Sequence, residues 1–275
     1  MNKQPEITAQ TVKHLNQWKR EIAPPNPYKS FFSIRQTNKI GRRHRKFCPR
    51  QKRLVELMSD GEHHSYLALI WHPNTREVMD QYALDIDETM SIAGMLDITH
   101  PQKWETNEAI VMTTDFVVRR TCSSNGIKTI AYSFKYWNKI YKEDQNGSAI
   151  PKNLRTWQKF AIEREYWHRR EIEYRLITER DATKVMAWNL AYFASEYEAE
   201  VSENELKDFC HSFIRVWSDN PLLELQDIIS AAATELKTTF QRAQTLLKKA
   251  GLHRLIPFDI NSAEIRLFRP VRLLP

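Results

Sequence analysis

Three residues in this chain have the types that act on a phosphate. Glu62 and Asp115 supply carboxylates, and Lys135 supplies an amine. Two carboxylates can hold a hard divalent cation. A lysine beside them can orient or activate an attacking water and neutralise developing charge. Asp115 lies in a β-rich run that starts at Met112, and Lys135 closes a second run that starts at Ile127. Thr121-Cys-Ser-Ser-Asn-Gly126 lies between the runs, so a hairpin is the natural reading. Its register decides whether the two groups meet. A tight two-residue Asn125-Gly126 turn pairs Phe116 with Lys135 and sends Asp115 to the other face. Asp115 meets Lys135 only if the loop holds an odd number of residues, for example with a Gly bulge. An ordinary solvent-edge hairpin with an exposed ion pair fits the same residues.

The elements that must position these groups can be read outward from the hairpin. Ser59-Asp-Gly-Glu62 is a capping box, and the helix that it starts carries Tyr66, Leu67, Ile70 and Trp71. Capping alone would explain Glu62. His63 and His64 are neighbours on that helix, do not face the same way, and read as surface residues. Pro73-Asn74 ends the helix, and Glu77 to Leu84 reads as a strand. Residues 85–108 form a connector with a short helix. After the hairpin, Leu154, Trp157, Phe160, Ala161 and Trp167 follow helical spacing, and Tyr174 to Thr178 reads as a strand. The order α-β-β-β-α-β predicts an α/β (α+β) restriction-endonuclease-like core with a mixed sheet.

Composition sets the frame. The chain has 275 residues, 41% hydrophobic and 27% charged, which fits a globular protein of about two domains. No apolar run is long enough to span a bilayer, and the N-terminus has no secretory h-region. Cys48, Cys122 and Cys210 are far apart and form no Cys-x-x-Cys pair. The expectation is a cytoplasmic protein without a disulfide framework. Residues 1–53 hold fourteen Lys/Arg against two Asp/Glu, so this arm is net +12 and leaves −5 for the rest of a chain of net +7. Its densest part includes Arg42, Arg43, Arg45 and Lys46, with aromatics at Tyr28, Phe31, Phe32 and Phe47. That placement predicts DNA binding through phosphates; a solvated leader fits as well. Pro24-Pro25-Asn26-Pro27 argues for extended backbone there.

The last third reads as helical. The acidic run Glu196-Tyr-Glu-Ala-Glu200 marks a boundary, and Ser202-Glu-Asn-Glu205 is a second capping box. Pro221 is placed at N1 of the next helix, and Gly251 at the C′ position of a third. Leu252–Phe258 and Ile265–Phe268 read as a hairpin, which gives winged-helix order. Lys237, Arg242, Lys248 and Lys249 either touch DNA or line a solvated face. The predicted divisions are 1–53, a basic arm; 54–198, the nuclease core; and 199–275, a winged-helix-like domain.

A set of segments adds a further reading. These are Gly41-Arg-Arg-His-Arg45, the Leu57-Met-Ser-Asp-Gly-Glu62 run, Arg76-Glu77 followed by Gln81-Tyr82, Met112-Thr-Thr-Asp-Phe116 and Ile162-Glu-Arg-Glu-Tyr-Trp167. In order and spacing they resemble the TnsA endonuclease subunits of heteromeric transposases, over most of the first two-thirds. The resemblance implies an active site of Glu62, Asp115 and Lys135. It implies Mg2+, with Mn2+ as a substitute, held by Glu62, Asp115 and the Phe134 backbone carbonyl, with Ser133 a further candidate. The family carries Gln where this chain has Ser133, and a serine is a poor ligand for a hard cation. Glu163 matches a family glutamate near the site, or is an exposed helix charge. The implied activity is cleavage at the transposon's 5′ ends for cut-and-paste transposition. A TnsB-type transposase would handle the 3′ ends and a TnsC-type ATPase would regulate the pair, with transposon-end DNA as substrate and nucleoid association when active. A catalytically weak DNA-binding scaffold and a stand-alone restriction-type nuclease remain as alternatives.

Overall fold

The computed structural model describes residues 3–36, 42–122 and 126–275. They form two compact units. The first runs to Asp181 and contains α1 (Ala9–Glu21), a 3-10 turn (Ile34–Gln36), β1 (His44–Cys48), β2 (Arg53–Leu57), α2 (Asp60–Ile70), β3 (Thr75–Ala83), α3 (Ile86–Met95), β4 (Thr113–Thr121), β5 (Ile127–Phe134), α4 (Trp137–Ile140), β6 (Tyr141–Glu143), β7 (Ala149–Pro151), α5 (Leu154–His168) and β8 (Glu173–Ile177). The second starts at Ala182, with α6 (Lys184–Ala194), α7 (Glu203–Asp219), α8 (Leu225–Glu235) and α9 (Phe240–Leu252), and takes in the short segments 49–51 and 71–73.

The expected α-β-β-β-α-β order is present as α2-β3-β4-β5-α5-β8, and the sheet is mixed. Its strand order is β3-β4-β5-β8, antiparallel across the first two pairs and parallel in the last. A parallel neighbour needs a crossover, which α5 supplies. Period-2 alternation splits the hairpin residues between two helical layers. Val117 and Ala131 pack with Ile162, Tyr166 and Trp167 of α5 and with Ile92 and Ala93 of α3. Phe116 turns the other way, its ring 6.3 Å from that of Tyr66 in α2.

The basic stretch at the N-terminus does not stand apart as an arm. It contains a helix, α1, capped by Thr8 and ended before the prolines. Leu15 and Trp18 of α1 are buried with Phe31 against Ala83, Ile86, Ala109 and Val111 of the nuclease unit. Trp18 Nε1 donates to the Lys29 carbonyl at 2.8 Å, and Lys19 pairs with Asp85 at 2.7 Å. Burying those side chains is worth about 1.5–3 kcal/mol each, which favours a packed segment over a solvated leader. β1 and β2 form a separate antiparallel ribbon that leads into α2.

The second unit is helical, and its division from the first falls at Asp181/Ala182 rather than 198/199. Ser202 caps α7 as expected, accepting from the Glu205 N–H at 3.2 Å. Pro221 does not open α8, which begins at Leu225 after Glu224. Gly251 lies inside α9 rather than beyond it. A Cβ there would fall 2.4 Å from Phe193 Cε1, so the glycine serves close packing. The expected hairpin is absent among the described residues. A single bridge joins Phe258 to Leu273, while residues 260–265 are held by Asn189. Its Nδ2 donates to the Ile260 and Ala263 carbonyls, and its Oδ1 accepts from the Ile265 N–H. Backbone groups satisfied by a side chain have no need of a ladder. The cations of this unit are engaged too: Arg242 holds Glu205 in two bonds, Lys248 reaches Glu196, and Lys249 donates to the Tyr197 carbonyl.

Candidate active site

The hairpin register bears on the first question raised by the sequence. Phe116 stands opposite Tyr132 and Thr121 opposite Ile127, so five residues, 122–126, lie between the last pair. Cys122 N–H donates to the Gly126 carbonyl at 2.8 Å. The loop count is odd, and the two-residue turn at Asn125-Gly126 is excluded; Ser123, Ser124 and Asn125 themselves lie outside the described residues. Away from the loop, the ladder's last pair is Phe116 with Tyr132, and Asp115 and Lys135 lie just beyond it at the same end of the hairpin. Asp115 is half-buried, and its Oδ2 accepts from the Phe134 N–H at 2.7 Å. Lys135 is exposed, and its backbone N–H pairs with the Ile177 carbonyl of β8 at 3.0 Å.

Glu62 reaches the same end of the sheet from α2. The capping box forms: Ser59 Oγ accepts from the Glu62 N–H at 3.1 Å. The buried carboxylate does more than cap. Oε2 accepts from the Met58 N–H at 2.8 Å and from Gln81 Nε2 at 3.1 Å. Gln81 belongs to β3 and has φ 50°, a left-handed backbone that is rare away from glycine. Gly61 fixes the approach of α2. A Cβ there would sit 2.0 Å from Phe134 Cζ, so only glycine lets the first turn lie on that ring. Its N–H donates to the Tyr136 hydroxyl at 3.1 Å. Glu62 and Asp115 are thus tied to one another through Gly61, Phe134 and a single hydrogen bond.

Ser133 is engaged elsewhere than expected. Its hydroxyl donates to Glu163 Oε2 at 2.5 Å, so its side chain is turned toward α5 and is not a ligand candidate here. Glu163 is buried, which corrects the reading of an exposed helix charge. Its Oε2 also accepts from Thr114 at 3.2 Å and Tyr174 at 3.4 Å, and Trp167 Nε1 donates to Thr114 at 2.9 Å. Burial pushes the Glu163 carboxyl up to about 8; the Ser133 hydrogen bond opposes this and the nearby Asp115 charge adds to it.

The donors suit a hard cation. Mg2+ takes one or two carboxylates and retains several waters, and carboxylates are the donors that Asp115 and Glu62 carry. Among the described residues no group of three or more His, Cys, Asp or Glu forms a ligand cluster. His63 and His64 are half-buried rather than fully exposed, with His63 stacked on His44 at 4.5 Å. The basic residues divide. Arg45 pairs with Glu56 at 3.0 Å, Arg43 donates to the Ile34 carbonyl, Lys46 lies 3.0 Å from His63 Nε2, and Arg42 lies 4.0 Å from Asp60; Gly41 lies outside the described residues. Sequence reasoning missed Gln81 as the partner of Glu62, and Gly61, Thr114 and Tyr174. Gln81, Gly61 and Thr114 stood inside segments already singled out, whereas Tyr174 was read only as the start of a strand.

A mixed sheet between helical layers, with two acids and a lysine at one end of its hairpin, defines a restriction-endonuclease-like nuclease fold. Residues 72–179 match the family model described as TnsA-like endonuclease N terminal, a span that includes Asp115, Lys135 and Glu163 but not Glu62. The chain is also 24% identical over 222 residues to the transposon Tn7 transposition protein TnsA of Escherichia coli, covering 80% of this chain and 76% of that protein. On these findings the chain is similar to TnsA-like endonucleases. None of its described helices is long and apolar enough to cross a membrane.

Proposed function

We propose that the chain is the metal-dependent endonuclease subunit of a heteromeric transposase, cleaving the 5′ ends of the element beside a TnsB-type partner under a TnsC-type regulator. The observation that carries this reading is the coupling of Glu62 and Asp115 across Gly61 and Phe134, with Lys135 next in the chain after Phe134. Asp115 and Glu62 would hold the cation, Mg2+ or Mn2+, with the Phe134 carbonyl as a further oxygen donor. When bound, that cation supplies Lewis-acid stabilisation of charge on the phosphate. Lys135 orients the attacking water and meets charge as it develops. The Phe134 N–H and the Gln81 amide hold the two carboxylates in place.

The scaffold reading needs no amine at position 135, so product type separates the two. Lys135→Ala leaves both acids in place, and the complex should still assemble and join 3′ ends to target. Uncut 5′ ends would keep donor and target linked, and replication would yield cointegrates where wild type gives simple insertions. Long-read sequencing of insertion products reads this directly, with the variant as the only copy in the cell. A majority of simple insertions from both proteins would rule out catalysis by this subunit.

A further inference from the structure

The four cations that charge placement assigned to DNA all have an acceptor close by. A second set does not. Lys135, Lys139, Lys142 and Lys152 are exposed, and none of their ammonium groups has an ion pair or hydrogen bond among the described residues. They follow one path. Lys135 leaves β5, Lys139 lies one turn further on α4, and Lys142 is on β6. Lys152 follows β7, and its N–H donates to the Ile140 carbonyl at 2.8 Å, which returns it to the end of α4.

The platform under these lysines is anchored. Ile140 is fully buried, and its carbonyl also accepts from Trp157 Nε1 at 3.1 Å. The Tyr141 ring sits 5.6 Å from Trp137 and 5.4 Å from Trp157. The Arg180 guanidinium lies 3.6 Å over Trp137. The local acids are already used. Glu143 pairs with Arg180 at 3.7 Å, Asp144 accepts from the Asn146 and Ser148 N–H groups, and Glu179 accepts from the Trp137 N–H. What remains outward is a set of four exposed ammonium groups without an ion pair among the described residues, beginning at Lys135. Such a set complements a polyanion.

We propose that Lys139, Lys142 and Lys152 grip the phosphate backbone of the duplex on which Lys135 acts, and that this platform, more than the Arg42–Lys46 segment, sets DNA affinity. The inference rests on the nuclease reading above for the role of Lys135. Its test uses the full chain, a short duplex of arbitrary sequence, and EDTA to prevent cutting. Anisotropy across a salt series gives the slope of log affinity against log salt. Replacing the three lysines together by Gln should lower that slope by about 0.9 for each lysine that meets a phosphate. Replacing them by Arg should keep it. Replacing Arg42, Arg43 and Arg45 by Ala should lower it less. Thermal melts of each variant establish that it is folded. An unchanged slope in the Gln variant, or a larger loss in the arm variant, overturns the proposal; an acidic protein as the platform's true partner would show itself this way. Cutting by the wild-type chain with its partners is scored separately. Cutting with an unchanged slope leaves the nuclease reading standing without the platform. A lost slope with no cutting by wild type leaves the platform standing without the nuclease reading.

Discussion

Two of the buried carboxylates in the nuclease unit are treated in opposite ways. Asp80 of β3 is fully buried and has a cation: Arg53 Nη1 lies 2.7 Å from Oδ1. Its Oδ2 accepts from Ser30 Oγ and from the Glu56 N–H. Glu163 of α5 is buried with neutral donors only, and no cation pairs with it among the described residues. Its charge is avoided by holding its proton to about pH 8. The first site is electrostatically complete and ties the N-terminal segment to the sheet. The second stands beside Asp115, whose charge helps to keep it protonated. An added positive charge is favourable there and superfluous at Asp80, which is how a structural acid differs from one placed for chemistry.

The largest effect should come from the incomplete end. Asp115→Ala is expected to reduce cutting by about three orders of magnitude or more, since metal-assisted charge stabilisation is worth several kcal/mol. The melting temperature should stay near that of wild type. Near-normal cutting by the folded variant would remove Asp115 from the site.

Next comes the complete end. Asp80→Asn leaves Arg53 without its counter-ion, and breaking a buried pair costs about 3–5 kcal/mol. Glu163→Gln keeps a neutral acceptor and should cost much less near neutral pH. Urea midpoints of the two variants compare them directly. A larger loss for Glu163→Gln would invert the contrast drawn above.

The pH dependence sharpens it further. The Glu163 pKa is raised in the folded protein from its ordinary 4.5 to about 8. The folded state therefore keeps a proton that the unfolded chain releases. The associated stability is present below about pH 4.5 and is lost as pH rises through about 8. Without metal, in EDTA, wild type should lose stability across that window more steeply than Glu163→Gln. Parallel stability curves for the two proteins would show that Glu163 is ionised throughout.

The sequence carried the framework well because the signals were local. Alternation over Met112–Lys135 and the Ser59–Glu62 box depend on neighbours in the chain, and both elements formed. The N-terminal segment was harder. Its charge is visible in composition, but its partners, Asp80, Asp85 and Glu56, lie far off in sequence. Glu163 has the same difficulty: one helix position cannot reveal that Thr114, Ser133 and Tyr174 converge on it. The C-terminal hairpin failed because Asn189, some seventy residues earlier, satisfies that backbone. Pro221 and Gly251 have the right residue types for a helix start and stop, yet a turn and a tight Phe193 contact use them instead.

The smallest expected effect tests the position where this chain departs from the TnsA pattern. Ser133 donates to Glu163, and a ligand that turned away and a structural hydroxyl are the two roles to separate. The geometry favours the second. Ser133→Ala removes one of three donors to Glu163 Oε2 while Thr114 and Tyr174 remain. A lost hydrogen bond of this kind costs about 1 kcal/mol of stability. It should also ease protonation of Glu163, because the Ser133 bond favours the charged form. Cutting should stay within a few-fold of wild type, and the concentration of Mg2+ needed for half-maximal cutting should not move. A metal ligand would behave otherwise: its loss would shift that concentration well before it altered the melt. Titrating Mg2+ against cutting rate for Ser133→Ala and wild type side by side separates the roles. A tenfold rise in the required Mg2+ would return Ser133 to the metal site.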